Sequence, residues 1–182
     1  MMNPTYPTEK ANPSEYEISK LFDQLGMKKV KIGDIVEIET SKGLAYAIYT
    51  HRHAKPPTFG ALLRIFDQVY PRRPSNLEDL ATKPIRFSTF FPLQAAVNKA
   101  MVRIVANVAV PKQLSFFPIF RSGTPDLTTK KVQTWWLWDG EKEWRIGNLS
   151  PEQRSLSFRS IWTPKFLVER IEEGWRPETD FR

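Results

Sequence analysis

Only two histidines occur in the chain, His51 and His53, two apart in the tripeptide His51-Arg52-His53. On an extended strand such positions point to one side, so the two imidazoles share a face and could grip a metal or pass a proton. A metal would want a third ligand, and the nearest acidic residues on either side are Glu39 and Asp67. Arg52 and Lys55 crowd cations around the pair instead, which disfavours another. His51, Arg52 and His53 therefore read as strand-end surface residues, available to a partner rather than to a metal.

The carboxylates give a similar answer. Glu37 and Glu39, and Glu141 and Glu143, form i, i+2 pairs, and glycosidase or nuclease chemistry needs carboxylates that converge. Both pairs fall where the polar outer face of a hairpin belongs. The chain has no cysteine, which removes disulfides, zinc–thiolate sites and thiol nucleophiles. It also lacks a phosphate-binding glycine loop, a dinucleotide fingerprint, a nucleophile elbow and a paired-histidine zinc helix. The expectation is no catalytic residue, no cofactor and no metal.

The strongest local feature is aromatic. Trp135, Trp136, Trp138 and Trp144 fall within ten residues. On a strand Trp136 and Trp138 share one face and Trp135 takes the other. Burying both faces at once is hard in a small domain, so at least one indole is expected near the surface. There it offers a flat, low-entropy contact for a protein or a stacked base. Aromatics also interleave with cations at Arg86–Phe91 and Phe116–Arg121, as in barrels that bind single strands, although alternating phenylalanines equally make a sheet core.

These residues must be held by short elements. The chain is 182 residues long with 15 prolines against 8 glycines, which argues against a long-helix bundle. Ser14 can cap a helix over Glu15–Leu25, with Glu17 completing a capping box and Ile18, Leu21, Phe22 and Leu25 as its apolar stripe. Residues 1–13 form an arm ahead of a single α+β domain over 14–182. Asp34–Glu39 and Leu44–Thr50 flank a turn at Ser41-Lys42-Gly43, a hairpin; Phe59–Asp67, Ile85–Phe91 and Met101–Val110 follow as strands. Leu93–Lys99 is a turn of helix or a bulged crossing, and Arg121–Lys131 a loop. Gln133–Asp139 and Glu143–Ile146 make a second hairpin around Gly140. Ser150-Pro151 opens a short helical turn. Thr163-Pro164 opens a last helix that Gly174 ends, with Trp175 packing back. The architecture expected is a strongly bent antiparallel sheet, or a partly open small barrel, with helices near both chain ends.

The net charge is +7, and it is unevenly placed. From His51 to Ser122 there are 11 basic and 3 acidic residues, against 16 and 17 in the remainder. A basic middle, in which Arg72 and Arg73 sit in a proline-bounded loop, attracts an acidic partner, whether protein, nucleic acid or lipid headgroup. No stretch reaches the ~18 apolar residues of a membrane span, and the start carries no secretory signal. A cytoplasmic protein without membrane contact is expected.

Lys31-Ile32-Gly33-Asp34-Ile35-Val36-Glu37-Ile38, then Gly43-Leu44-Ala45-Tyr46-Ala47, then Gly60-Ala61-Leu62-Leu63-Arg64-Ile65-Phe66-Asp67 resemble the opening of the immunity protein 26 family of bacterial polymorphic-toxin systems. Trp138-Asp139-Gly140-Glu141-Lys142-Glu143-Trp144 and the proline-led last helix resemble its later part. The resemblance implies a non-enzymatic protein that binds and silences a toxin domain delivered by a neighbouring cell. It assigns no residue a role. Partner-binding candidates therefore come from the residues themselves: His51, Arg52, His53, Arg72, Arg73, Trp135, Trp136 and Trp138. The other class compatible with these residues is a small basic barrel that binds RNA or DNA without catalysis.

Overall fold

The computed structural model describes residues 29–180. The expected arm over 1–13 and the expected helix over Glu15–Leu25 lie outside the described residues. Five strands form one antiparallel sheet: β1 (Asp34–Thr40), β2 (Gly43–His53), β3 (Gly60–Tyr70), β4 (Ile85–Phe91) and β5 (Arg103–Asn107), in the order β4-β3-β2-β1-β5. The first hairpin has the expected turn, with Thr40 opposite Gly43. Between β4 and β5 the chain forms helix α1 (Leu93–Asn98), the helical option for that crossing. Of the β-branched run after Met101, only Arg103–Asn107 is strand.

Imperfect alternation in β1 to β3 has a direct cause: both faces of the sheet are covered. On one face Val36, Ile38, Ala47, Leu63, Ile65 and Phe87 pack with Trp162, Trp175 and the buried side of a helix. On the other Ile35, Tyr46, Ile48 and Phe66 pack under Leu80 and Leu114. A strand covered on both sides reads as a run of apolar residues rather than as alternation.

The second sheet holds β6 (Phe120–Ser122), β7 (Trp135–Trp138) and β8 (Glu143–Gly147), in that order. The second hairpin is thus where it was expected, and β6 takes the first two residues of the segment read as a loop. Residues 157–162 join the two sheets edge to edge. Their backbone bonds β4 through Phe90 N to Ser160 O (3.3 Å) and Trp162 N to Phe90 O (2.9 Å). On the other side it bonds β6 through Arg121 N to Ser157 O and Arg159 N to Arg121 O, both 2.9 Å. The layer then bends so that Trp138 and Phe120 return onto Leu62 and Phe90. No closed barrel results: β5 and β8 end their sheets and pair with no further strand among the described residues.

Two helices follow β8: α2 (Pro151–Arg154) and α3 (Pro164–Glu172). Ser150 and Gln153 form a reciprocal capping box at α2. At α3 the Thr163 hydroxyl accepts from Phe166 N, and Pro164 occupies the first turn. The helix stops as its sequence indicates. Gly174 N donates to Ile171 O (3.1 Å) and Trp175 N to Arg170 O (3.0 Å), the paired bonds of a Schellman end. Trp175 folds back against Phe87 and Trp162. The whole is an α+β protein built mainly on antiparallel strands. A helix near the chain's end is present; its expected counterpart near the start falls outside the described residues.

Candidate functional site

His51 and His53 do face one way, since both rings contact Phe117. Their environments differ. His51 is half-buried; its Nε2 donates to Ser115 O (3.0 Å) and its Nδ1 lies 3.0 Å from Thr50 Oγ1. Burial holds its pKa below the ordinary histidine value, partly offset by the bond to Ser115. His53 is only 7% exposed, walled by Phe59, Phe90, Phe117 and Trp138 at ring distances of 5.0–6.2 Å. Its Nε2 donates to Gly140 O at 3.2 Å. His53 is therefore a core aromatic that ties the tip of the second hairpin to β2, not a strand-end surface group. Arg52 is exposed. Among the described residues no cluster of three or more His, Asp or Glu side chains is arranged to hold a metal ion.

Each carboxylate of the two i, i+2 pairs is held by a cation. Arg73 grips Glu37 with two bonds (2.7 and 2.8 Å), and the Tyr46 hydroxyl donates to Glu37 at 2.8 Å. Glu39 pairs with Arg103, Glu141 with Lys55 and Glu143 with Arg159. Arg73 holds the buried Glu37 carboxyl below the usual range, helped by Tyr46 and Arg103 and opposed by burial. Burial and that carboxylate together push the Tyr46 phenol up. Arg73 thus fastens the Pro71–Pro74 loop to β1, while Arg72 stays exposed.

These pairs change the meaning of the basic middle. Lys55, Arg73, Arg86 and Arg103 are met by Glu141, Glu37, Asp67 and Glu39. Arg64 and Arg121 are buried. Arg64 donates to Ser88 Oγ (3.0 Å) and Phe116 O (2.9 Å), and burial lowers its pKa to about 10. The Arg121 guanidinium lies 4.3 Å from the Phe158 ring and 5.2 Å from Trp135. Six of the segment's eleven basic residues are paired with carboxylates or buried, so much of the sequence excess is matched within the chain.

The tryptophans divide by face as the strand period requires, and then by cover. Trp135 (4% exposed) packs under Phe158 and Arg121, and Trp138 (6%) sits in the aromatic box around His53. Neither can meet a partner in the folded state. Trp136 shares the face of Trp138 but stands beyond its cover, and it is 39% exposed. Trp144 is exposed as well.

Trp136 lines a groove of 770 Å³ together with Gly123, Asp126, Leu127, Glu143 and Arg159. An adjoining hollow of 410 Å³ shares Ser122, Gly123 and Arg159 with it and continues to Ile161 and Phe166. Arg159 stands between them, bonded to Glu143 (2.6 Å) and lying over the Trp138 ring. Leu127 is 87% exposed, and Ile161 and Phe166 also face solvent. Leu127, Arg159, Ile161 and Phe166 are absent from the residues that sequence reasoning singled out. A lone leucine in the polar run Thr124–Lys131 is the one signal that pointed here.

In comparisons with protein-family models, with curated proteins and with solved structures, the chain matches none.

Proposed function

We propose that this chain is a non-enzymatic, cytoplasmic binding protein that neutralises a bacterial toxin domain, docking through the groove beside Trp136. The observation that carries the reading is the cluster of large apolar side chains, Leu127, Trp136, Ile161 and Phe166, around two adjoining hollows. A soluble domain gains nothing from exposing such a group unless something covers it. Covering one of these side chains is worth about 1.5–3 kcal/mol. A central aromatic anchor with a polar rim is how stable protein interfaces concentrate their energy. The resemblance of the strand motifs to the immunity protein 26 family directs the choice of partner class toward a toxin.

The test is growth rescue. A panel of bacterial toxin domains is expressed, one at a time, in cells carrying wild-type chain, Trp136→Ala or Leu127→Ala. Rescue by wild type and at least tenfold weaker binding by Trp136→Ala is the expected result; rescue unaffected by either change removes the groove from the interface. A second reading, single-stranded nucleic acid, is favoured by one observation: Trp136 lies opposite Arg145 across β7 and β8, an indole beside a cation. Binding of RNA or single-stranded DNA that collapses from low to moderate salt would install that reading in place of the first.

A further inference from the structure

We infer that the occupant of the Trp136 groove is an acidic protein segment carrying one large apolar anchor. The anchor seats between Leu127 and Trp136, and the segment's carboxylates face Lys130, Lys131 and Arg145. The inference rests on the groove being a docking site and adds what it takes.

The groove's own carboxylates are both held within the chain. Glu143 is bonded to Arg159. Asp126 accepts from Thr128 N (2.9 Å), Thr129 N (2.7 Å) and the Thr129 hydroxyl (3.1 Å), which hold its carboxyl below the usual range. The cations of its flanking loop and strand are not. Arg145 is the register partner of Trp136 and so shares its face. Lys130 and Lys131 belong to the loop that carries Asp126 and Leu127 of the groove: Lys130 N donates to Asp126 O and Asp126 N to Lys131 O, both at 2.9 Å. All three are exposed, and none has a carboxylate within ion-pair distance among the described residues. The groove therefore presents Leu127 and Trp136 among polar neighbours, and its flanking loop and strand carry three exposed cations against one carboxylate, Asp126, that keeps its charge.

An acidic segment meets that arrangement on both counts, and a basic one on neither. A nucleic acid would use the cations and the indole. It has no use for Leu127, which is aliphatic and offers no face to stack a base on.

Selection of random displayed dodecapeptides against the full chain tests this. The expected winners combine several Asp or Glu with one Leu, Phe or Trp and bind more weakly as salt rises. They lose at least tenfold in affinity on Trp136→Ala, and about tenfold on the combined reversal Lys130→Glu, Lys131→Glu and Arg145→Glu. Winners that need Trp136 but carry no excess of acids overturn the acidic partner and leave the docking site standing. Winners insensitive to both Trp136→Ala and Leu127→Ala overturn the docking site itself. A short single-stranded DNA that binds more tightly than every selected peptide, and is lost in the same variants, overturns both in favour of nucleic acid.

Discussion

At the scale of single residues, the buried carboxylate of Glu37 is the clearest case of a charge that holds structure. Its loss would leave the buried Tyr46 hydroxyl without its acceptor, and an unsatisfied buried polar group costs about 1–3 kcal/mol, whereas Arg73 is half exposed and can return to water. Glu37→Ala should therefore destabilise the chain by about 1–3 kcal/mol in denaturant unfolding; no measurable loss would mean the cluster is dispensable. The pH dependence follows with a definite sign. Arg73 depresses the folded-state pKa of Glu37 and Arg176 that of Asp67, so their contribution is fully present above the unfolded carboxylate range. It is lost as pH falls below ~4 toward the folded values. Stability measured from pH 6 downward should fall in that window, and the fall should be shallower in Glu37→Gln. His53 acts at the same scale by other means. Its ring fills an aromatic box, and His53→Ala should cost about 2–4 kcal/mol through the cavity left behind. An unaltered unfolding midpoint would show the box collapsing without penalty.

At the scale of elements, the groove depends on how closely β6 and β7 approach. A Cβ added at Gly123 would lie 2.3 Å from the Val132 Cγ1, 3.2 Å from Thr134 O and 3.2 Å from the Trp135 ring. Gly123→Ala should cost about 1–3 kcal/mol by overpacking. Val132→Ala in the same chain should recover part of that, because the closest clash is with the side chain it removes; additive losses in the double mutant would place the strain elsewhere. Locally coded features of these elements were legible in the residues. Both hairpins, the short helical turn opened at Ser150-Pro151, the proline start of α3 and its stop at Gly174 each rest on contacts within a few positions, so type and spacing suffice. What was illegible is non-local. Nothing near Trp135 or Trp138 signals that a segment some twenty residues later will cover one and that His53, over eighty residues earlier, will pack on the other. Arg73 and Arg121 look like surface cations for the same reason. Their partners, Glu37 and the rings of Trp135 and Phe158, are brought in by tertiary pairing.

At the scale of the whole molecule, residues 157–162 decide whether two sheets behave as one body. They bond β4 on one side and β6 on the other, and Ser157 adds a side-chain bond from Ser88 N at 2.8 Å. Around this seam the apolar contacts are shared. Trp135 and Phe158 belong to the same core as Val36, Leu63 and Phe87, and Trp138 to the same cluster as Leu62 and Phe90. Neither sheet can lose its partner without exposing apolar surface of its own, so intermediates with one sheet folded are costly and the transition should be all-or-none. Two probes can tell, because four of the six tryptophans lie on β7 and β8 while most strand residues lie in the larger sheet. Tryptophan fluorescence therefore follows mainly the small sheet and far-ultraviolet dichroism mainly the large one. Their urea transitions should coincide in midpoint and slope, and Ser157→Ala should move both together. A fluorescence transition that precedes the dichroism change would mean that the seam does not couple the sheets. The groove beside Trp136, built wholly on the smaller sheet and the segments that flank it, would then open before the rest of the protein unfolds.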